Sequence, residues 1–202
     1  MEYRGLTEDV LGNVRALNGT WLRLATNGAD GFSTLDDRRR ARLAMSPFLL
    51  FSLREGDDIW LELLADGPQR QLFAERPGYE QCELQSACLA YLWELTRRNP
   101  FAARVVSGAP PQWCERIAGM ALVRLLRSAG QADLLRPRFE KDSPMYRRLL
   151  LRGGSALRSA RDAAQIAALQ TMLTTAEFAA VGRLRAAACE IRPSARRVAD
   201  KP

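Results

Sequence analysis

The chain has 202 residues, of which 47% are apolar and 26% are charged, a composition typical of a soluble globular protein. It contains no histidine. That absence excludes Ser-His-Asp and Cys-His nucleophile pairs, zinc sites with histidine ligands and imidazole proton shuttles. No segment approaches the roughly 18 uncharged apolar residues that a bilayer span requires, so we expect no membrane partner.

The net charge is +7, and its distribution along the chain is uneven. Residues 1–100 carry 12 basic and 15 acidic residues, a net charge of −3, whereas residues 101–202 carry 18 and 8, a net charge of +10. Nearly all of the basic residues are arginine. This asymmetry fits an anionic partner for the second half, and it fits a solvated face or a contact between the two halves equally well.

The four cysteines give no metal-binding pattern. Cys82, Cys88, Cys114 and Cys189 include no Cys-x-x-Cys pair, and no histidine is present to complete a zinc site. We therefore expect no metal and no cofactor. The first ten residues, MEYRGLTEDV, carry acids where a secretory signal has basic and apolar segments. These features predict a cytoplasmic protein with reduced, mostly buried thiols.

Helical signals dominate residues 1–77, which we predict to form an N-terminal helical subdomain that ends in a connector. Glycine and proline mark the connector, which surrounds a short helix at Gln71–Phe73. The predicted elements before it are a helix from Thr7 to Asn27, a second helix that starts within Ser33–Asp37 and ends near Met45, a short helix at Phe48–Phe51 capped by Ser46-Pro47, and Ile59–Leu64, which is either strand or helix.

Residues 78–190 are predicted to form a basic C-terminal helical subdomain, and residues 191–202 a flexible tail. The central element of this subdomain is a long amphipathic helix from Glu80 to Asn99. Prolines, glycines and hydroxyl-bearing caps divide the remainder into shorter helices. These helices are Phe101–Val106, Pro111–Met120, Ala121–Arg127, Met145–Arg152, Ser155–Thr174 and Thr175–Cys189.

These patterns together predict an all-α fold, a multi-helix bundle of about eight to ten helices. Two short matches leave open a bundle of two similar helical halves: Trp21–Ala25 with Leu92–Thr96, and Arg42–Ala44 with Arg116–Ala118. The matches have offsets of 71 and 74 residues, so a duplication needs a three-residue insertion. Chance similarity between leucine-rich helices is the alternative.

The segment Ala103–Arg127 contains two short predicted helices around Ser107-Gly108, the pattern of a helix-turn-helix. In that interpretation the second helix presents Gln112, Glu115 and Arg116 to base edges. Three further arginines would contact phosphates, namely Arg104, Arg124 and Arg127. The alternative is an ordinary helical hairpin with arginine on its solvated face.

A second basic group lies on the predicted second helix. Arg38 and Arg42 share one helical face with Arg39 beside it, an arrangement that suits an acidic ligand. The solvated back of a helix is the alternative. The preceding Asp36-Asp37 pair is explained by helix capping and by the helix dipole, so we assign it no catalytic role.

A long helix rich in leucine and tyrosine at Cys88–Arg98 is followed by an alanine-rich piece at Phe101–Arg104 and a helix pair at Arg116–Ala118 and Leu122–Leu126. In this order of motifs the chain resembles the D subunit of the flagellar master transcriptional regulator. The resemblance covers about fifty residues. It implies a helical, dimeric regulator that associates with DNA through a partner subunit, and no functional residues are transferred from it.

We therefore expect a non-enzymatic cytoplasmic regulatory or interaction protein, a transcriptional regulator whose basic C-terminal half binds DNA or an acidic partner. A protein partner is expected, DNA is a candidate ligand, and a homo-oligomer is compatible with the sequence. The alternative is a protein-only adaptor of a bacterial secretion or motility apparatus, which would bind its partner through tryptophan and leucine surfaces.

Overall fold

Helices make up most of the structure, a computed structural model that describes residues 6–26, 31–64, 78–130 and 132–190. Within those ranges there are nine α-helices and two short strands. The all-α prediction of eight to ten helices is therefore confirmed. The helices are α1 (Glu8–Thr26), α2 (Asp37–Ala44), α3 (Ile59–Leu64), α4 (Tyr79–Arg98), α5 (Pro100–Ser107), α6 (Pro111–Ala118), α7 (Leu122–Ala129), α8 (Pro144–Arg148) and α9 (Arg158–Glu190).

Side-chain caps start several of these helices, and Thr7 and Ser143 are the caps that the sequence predicts. Helix α2 begins at the last residue of its predicted Ser33–Asp37 start, after a 3-10 turn at Gly31–Thr34. Each capping oxygen accepts a hydrogen bond from a backbone N–H of the first turn, which otherwise has no partner inside the helix. The caps, with the distances from oxygen to nitrogen, are Thr7 to Val10 at 3.3 Å, Asp36 to Arg39 at 2.7 Å, Asn99 to Ala102 at 3.0 Å and Ser143 to Tyr146 at 3.2 Å.

One hydrophobic core joins elements from both predicted subdomains. Helix α4 packs against α1, α5, α6 and α7, which confirms its predicted central place. Trp60 of α3 meets Trp113 of α6 edge to face, with ring centroids 5.4 Å apart. The predicted boundary at Pro77, the short connector helix at Gln71–Phe73 and the tail at 191–202 lie outside the described residues.

The predicted helix at Phe48–Phe51 is wrong. These four residues are buried at 0 to 3% exposure, and they run into a short strand, β1 (Phe51–Ser52). This strand pairs antiparallel with β2 (Arg136–Pro137), placing Phe51 opposite Pro137. A segment that is apolar on every side carries no helical period, so a buried extended segment fits the sequence equally well.

Two buried amide side chains hold the backbone that leads into the strands. Asn18 of α1 donates to the Phe48 carbonyl oxygen at 2.9 Å and accepts from the Leu50 N–H at 2.9 Å. Gln85 of α4 donates to the Ala132 carbonyl oxygen at 3.2 Å and accepts from the Leu134 N–H at 2.7 Å. Backbone groups that no helix or strand partners are thereby satisfied inside the core.

The predicted break between Thr174 and Thr175 is also wrong, because α9 is continuous. The hydroxyl groups of Thr174 and Thr175 donate to the carbonyl oxygens four residues earlier, at 2.7 and 2.8 Å, so neither caps a new helix. Helix α8 continues into a π-helical turn at Leu149–Gly153, and Ile59–Leu64, which the sequence left open, is helical.

Candidate functional site

A buried ion pair lies beside the two-stranded sheet. Arg138 Nη2 is 3.2 Å from Glu55 Oε1, and the two side chains are 7% and 4% exposed. Arg138 also donates to the carbonyl oxygens of Leu49 and Phe51. The guanidinium group is thus occupied by the carboxylate and by backbone oxygens, so we assign this pair to holding β1 against β2.

The buried thiols are poorly suited to nucleophilic chemistry. Burial raises the pKa of Cys88 far above its ordinary value, the Glu55 charge adds to this rise, and Arg138 opposes it. Burial also raises the pKa of Cys114 to about 11, against an opposing effect of Arg104. Because the thiolate is the reactive form, both groups stay protonated and unreactive near neutral pH. Their burial is as the sequence predicts.

Three short helices, α5, α6 and α7, follow one another with three-residue connections. Gly108 closes α5 in the left-handed conformation, with φ of 65°, which favours glycine. Helix α6 buries Trp113, Cys114 and Ile117. The face that remains exposed on α6 holds the three side chains assigned to base edges: Gln112, Glu115 and Arg116.

Helix α7 adds two of the predicted phosphate-contacting residues to the same region. It buries Leu125 and exposes Val123, Arg124 and Arg127. The turn between α6 and α7 is fixed to α4, since Trp93 Nε1 donates to the Met120 carbonyl oxygen at 2.9 Å. Arg116 and Arg124 flank this turn, each four residues from Met120.

The structure adds Arg97 to this group, a residue that was not among the site residues predicted from the sequence. Its guanidinium carbon lies 4.5 Å from the centroid of the Trp93 ring, beside the α6–α7 turn. The spacing of Trp93 and Arg97, four residues apart on a helix, is the sequence signal for this contact. We name the exposed residues Arg97, Arg116, Arg124 and Arg127 the α6–α7 basic surface.

Arg104 occupies a different place from the other predicted phosphate contacts. It is half-buried on α5, and its charge is close enough to Cys114 of α6 to lower the pKa of that thiol. Because Arg104 is not exposed, we leave it out of the basic surface.

The arginines of α2 lie in a separate group. Helix α2 packs against α1 and against the π-helical turn. Arg39 Nη2 donates to the Leu151 carbonyl oxygen at 3.3 Å, and Arg42 Nε donates to the Gly154 carbonyl oxygen at 2.8 Å. Arg38 is exposed. The structure thus uses two of the three predicted ligand-binding arginines to hold a distant segment of the chain.

Comparison of the chain with known protein-family models, with characterised proteins and with solved structures gives no match. In the part of the chain that the structure describes, no helix has both the length and the apolar character needed to cross a bilayer. The same residues contain no group of three or more cysteine, aspartate and glutamate side chains arranged to hold a metal ion.

Proposed function

We propose that this protein is a regulatory DNA-binding protein that attaches to the duplex backbone through the α6–α7 basic surface. The observation that carries the proposal is charge: residues 97–127 contain six arginines and one glutamate. The four arginines of the surface are exposed on helices that are fixed to the core. An exposed group of cations with few acids nearby is the electrostatic feature that phosphate binding requires.

The arrangement of the helices supports duplex DNA as the ligand. Two connected eight-residue helices, α5 and α6, are joined by a tight turn that ends in a buried Pro110, and the exposed face of α6 carries Gln112 and Arg116. An amide group reads adenine in the major groove, so Gln112 is the candidate for a base contact, whereas we count Arg116 with the surface arginines that engage phosphates. Arg124 and Arg127, one turn apart on α7, would contact phosphates.

Salt-dependent binding to a random-sequence DNA duplex tests the proposal. Four arginines that engage phosphates predict a slope of log affinity against log salt of about −3.6, so affinity falls about 150-fold between roughly 50 and 200 mM salt. Replacing Arg116 and Arg127 with alanine lowers the magnitude of this slope by about 1.8. Fluorescence anisotropy with a labelled duplex measures both quantities.

A matched control removes two exposed arginines elsewhere, Arg147→Ala with Arg148→Ala on α8, and leaves the slope unchanged. If the control loses affinity to the same degree, binding depends on overall charge and the assigned surface is wrong. No binding of any duplex at low salt would overturn the proposal as a whole.

A protein-only adaptor is the second candidate, and one observation favours it. Val123 of α7 and Phe101 of α5 are 64% and 63% exposed, although both are apolar. Such side chains gain nothing from a phosphate backbone but can be covered by a protein. Recovery of the same defined partner with and without nuclease, together with no duplex binding at low salt, selects the adaptor.

A further inference from the structure

A second basic group combines with exposed leucines at a corner of the molecule that the proposed DNA surface does not include. It is formed by α2, the π-helical turn and the start of α9. We name this group the arginine-leucine corner: Arg38, Arg39, Arg42, Leu151, Arg152, Leu157 and Arg161.

Three of these arginines are held in place by backbone oxygens of one short stretch. Arg39 binds the carbonyl oxygen of Leu151 and Arg42 that of Gly154, and Arg161 Nη1 donates to the Ser155 carbonyl oxygen at 2.9 Å. A guanidinium group has five N–H donors, so each of the three keeps donors beyond the one used here. All three side chains are only half-buried, so a ligand can reach them.

Close packing fixes the π-helical turn, with the adjoining Gly154, against α2. A Cβ atom on Gly154 would lie 2.7 Å from the Arg39 carbonyl oxygen, and one on Gly153 would lie 2.8 Å from Leu43 Cδ1. At Gly154 the obstructing atom belongs to the backbone, so only glycine permits this approach. The three hydrogen-bonded arginines are therefore positioned before any ligand arrives, which lowers the ordering cost of binding.

The local charge is strongly positive. Residues 36–42 and 147–162 together contain nine arginines and three aspartates. Each aspartate already has a partner: Asp36 caps α2, Asp37 binds Arg40 at 2.5 Å, and Asp162 lies 3.6 Å from Arg158. The exposed Arg38 and Arg152 therefore face solvent with little neighbouring negative charge.

Two large apolar side chains flank this charge. Leu151 and Leu157 are 69% and 70% exposed, among the most exposed large apolar residues in the described ranges. A nucleic-acid backbone would bind the arginines but leave the leucines in water. A protein segment with both carboxylates and apolar side chains would cover both kinds of group.

We propose that the arginine-leucine corner binds an acidic segment of a partner protein in which glutamate or aspartate side chains alternate with apolar ones. The carboxylates pair with the guanidinium groups, for which they provide bidentate acceptors, and the apolar side chains pack on Leu151 and Leu157. The corner thus gives the protein an interaction surface separate from the one proposed for DNA.

Binding of a fluorescein-labelled synthetic peptide that alternates glutamate with leucine, measured by anisotropy with the full chain, tests this inference. The unmodified protein binds the peptide. We expect Leu151→Ser with Leu157→Ser to weaken binding about tenfold or more, and Arg38→Glu with Arg152→Glu to do the same. These four side chains are exposed, and circular dichroism verifies that the variants keep their helical content.

The variant with Arg116→Ala and Arg127→Ala binds the peptide as the unmodified protein does, which separates this test from that of the DNA surface. The inference is overturned if the unmodified protein fails to bind, if the corner variants bind normally, or if a glutamate-serine peptide binds equally well. Binding of the protein and the corner variants to vesicles of anionic lipid is measured as a further comparison. Corner-dependent binding to them without peptide binding would assign the surface to a membrane instead.

Discussion

At the scale of single residues, the fold depends on polar side chains placed inside an apolar core. Asn18 and Gln85 are both fully buried, and each serves a stretch of backbone that lies 26 to 50 residues later in the chain. A buried peptide group without a partner costs more than a hydrogen bond contributes, so these amides matter chiefly for the groups they satisfy.

Replacing Asn18 with alanine tests this role. The change leaves the Phe48 carbonyl oxygen and the Leu50 N–H without their partner inside the core. We expect the free energy of unfolding to fall by about 2–4 kcal/mol, measured by urea denaturation. Asn13 is exposed on the same helix, so Asn13→Ala should change stability by less than about 0.5 kcal/mol. Equal losses in the two variants would contradict the assigned role.

At the scale of elements, the sequence predicts the features that local signals determine, but not those that depend on contacts between distant segments. Helices α1 and α8 begin where their capping residues, Thr7 and Ser143, predict, because a cap acts within one helical turn. The path of Phe48–Phe51 depends on Asn18 and on β2, which are distant in the chain, so no local pattern specifies it.

The same distinction between local signals and long-range contacts applies to the candidate sites. The exposed residues of α6 and α7 follow from helical periodicity, so Arg116 and Arg127 could be selected from the sequence. The contact of Arg39 with the Leu151 carbonyl oxygen spans 112 residues. Only the fold brings these segments together, and the sequence therefore assigned Arg38, Arg39 and Arg42 to an isolated helix face.

The junction of α2 with the π-helical turn makes an element-scale prediction through Gly154. An alanine Cβ at this position would lie 2.7 Å from the Arg39 carbonyl oxygen, a backbone atom that cannot move alone. We expect Gly154→Ala to lower the free energy of unfolding by about 1–3 kcal/mol, because the helix must shift to avoid the overlap.

A matched glycine is expected to show the opposite effect. Gly12 lies inside α1, and nothing comes within 4 Å of the Cβ it would carry. Gly12→Ala should therefore raise the free energy of unfolding by about 0.5–1 kcal/mol through helix propensity alone. Thermal denaturation of both variants makes the comparison, and a stabilised Gly154→Ala would show that the close approach is not required.

At the scale of the whole molecule, the division into an acidic first half and a basic second half does not describe where the charges lie in the fold. Part of the positive charge of residues 101–202 lies on the α6–α7 basic surface. Another part lies at the arginine-leucine corner, where α2, from the acidic half, contributes Arg38, Arg39 and Arg42. Charge is thus grouped by location in the fold, and each group needs its own binding test.

The shared core predicts that the two sequence halves unfold together. Trp60 packs on Trp113, Glu55 pairs with Arg138, and the Leu49 N–H donates to the Val106 carbonyl oxygen at 2.9 Å, so each contact joins residues from either side of Pro77. Loss of one half would expose the buried ring of Trp60 and leave a charged group of the ion pair alone in the core. Independent subdomains would need separate cores, which these contacts do not provide.

We therefore expect one cooperative transition in urea, with the same midpoint by far-ultraviolet circular dichroism and by tryptophan fluorescence. Trp60→Leu should lower both midpoints together, because it weakens a contact that the two halves share. Leu61→Ala is the control, since Leu61 is 54% exposed on the same short helix, and it should leave both midpoints nearly unchanged. Two separate transitions, or a Trp60→Leu variant in which only one signal shifts, would show that the halves on either side of Pro77 are independent subdomains.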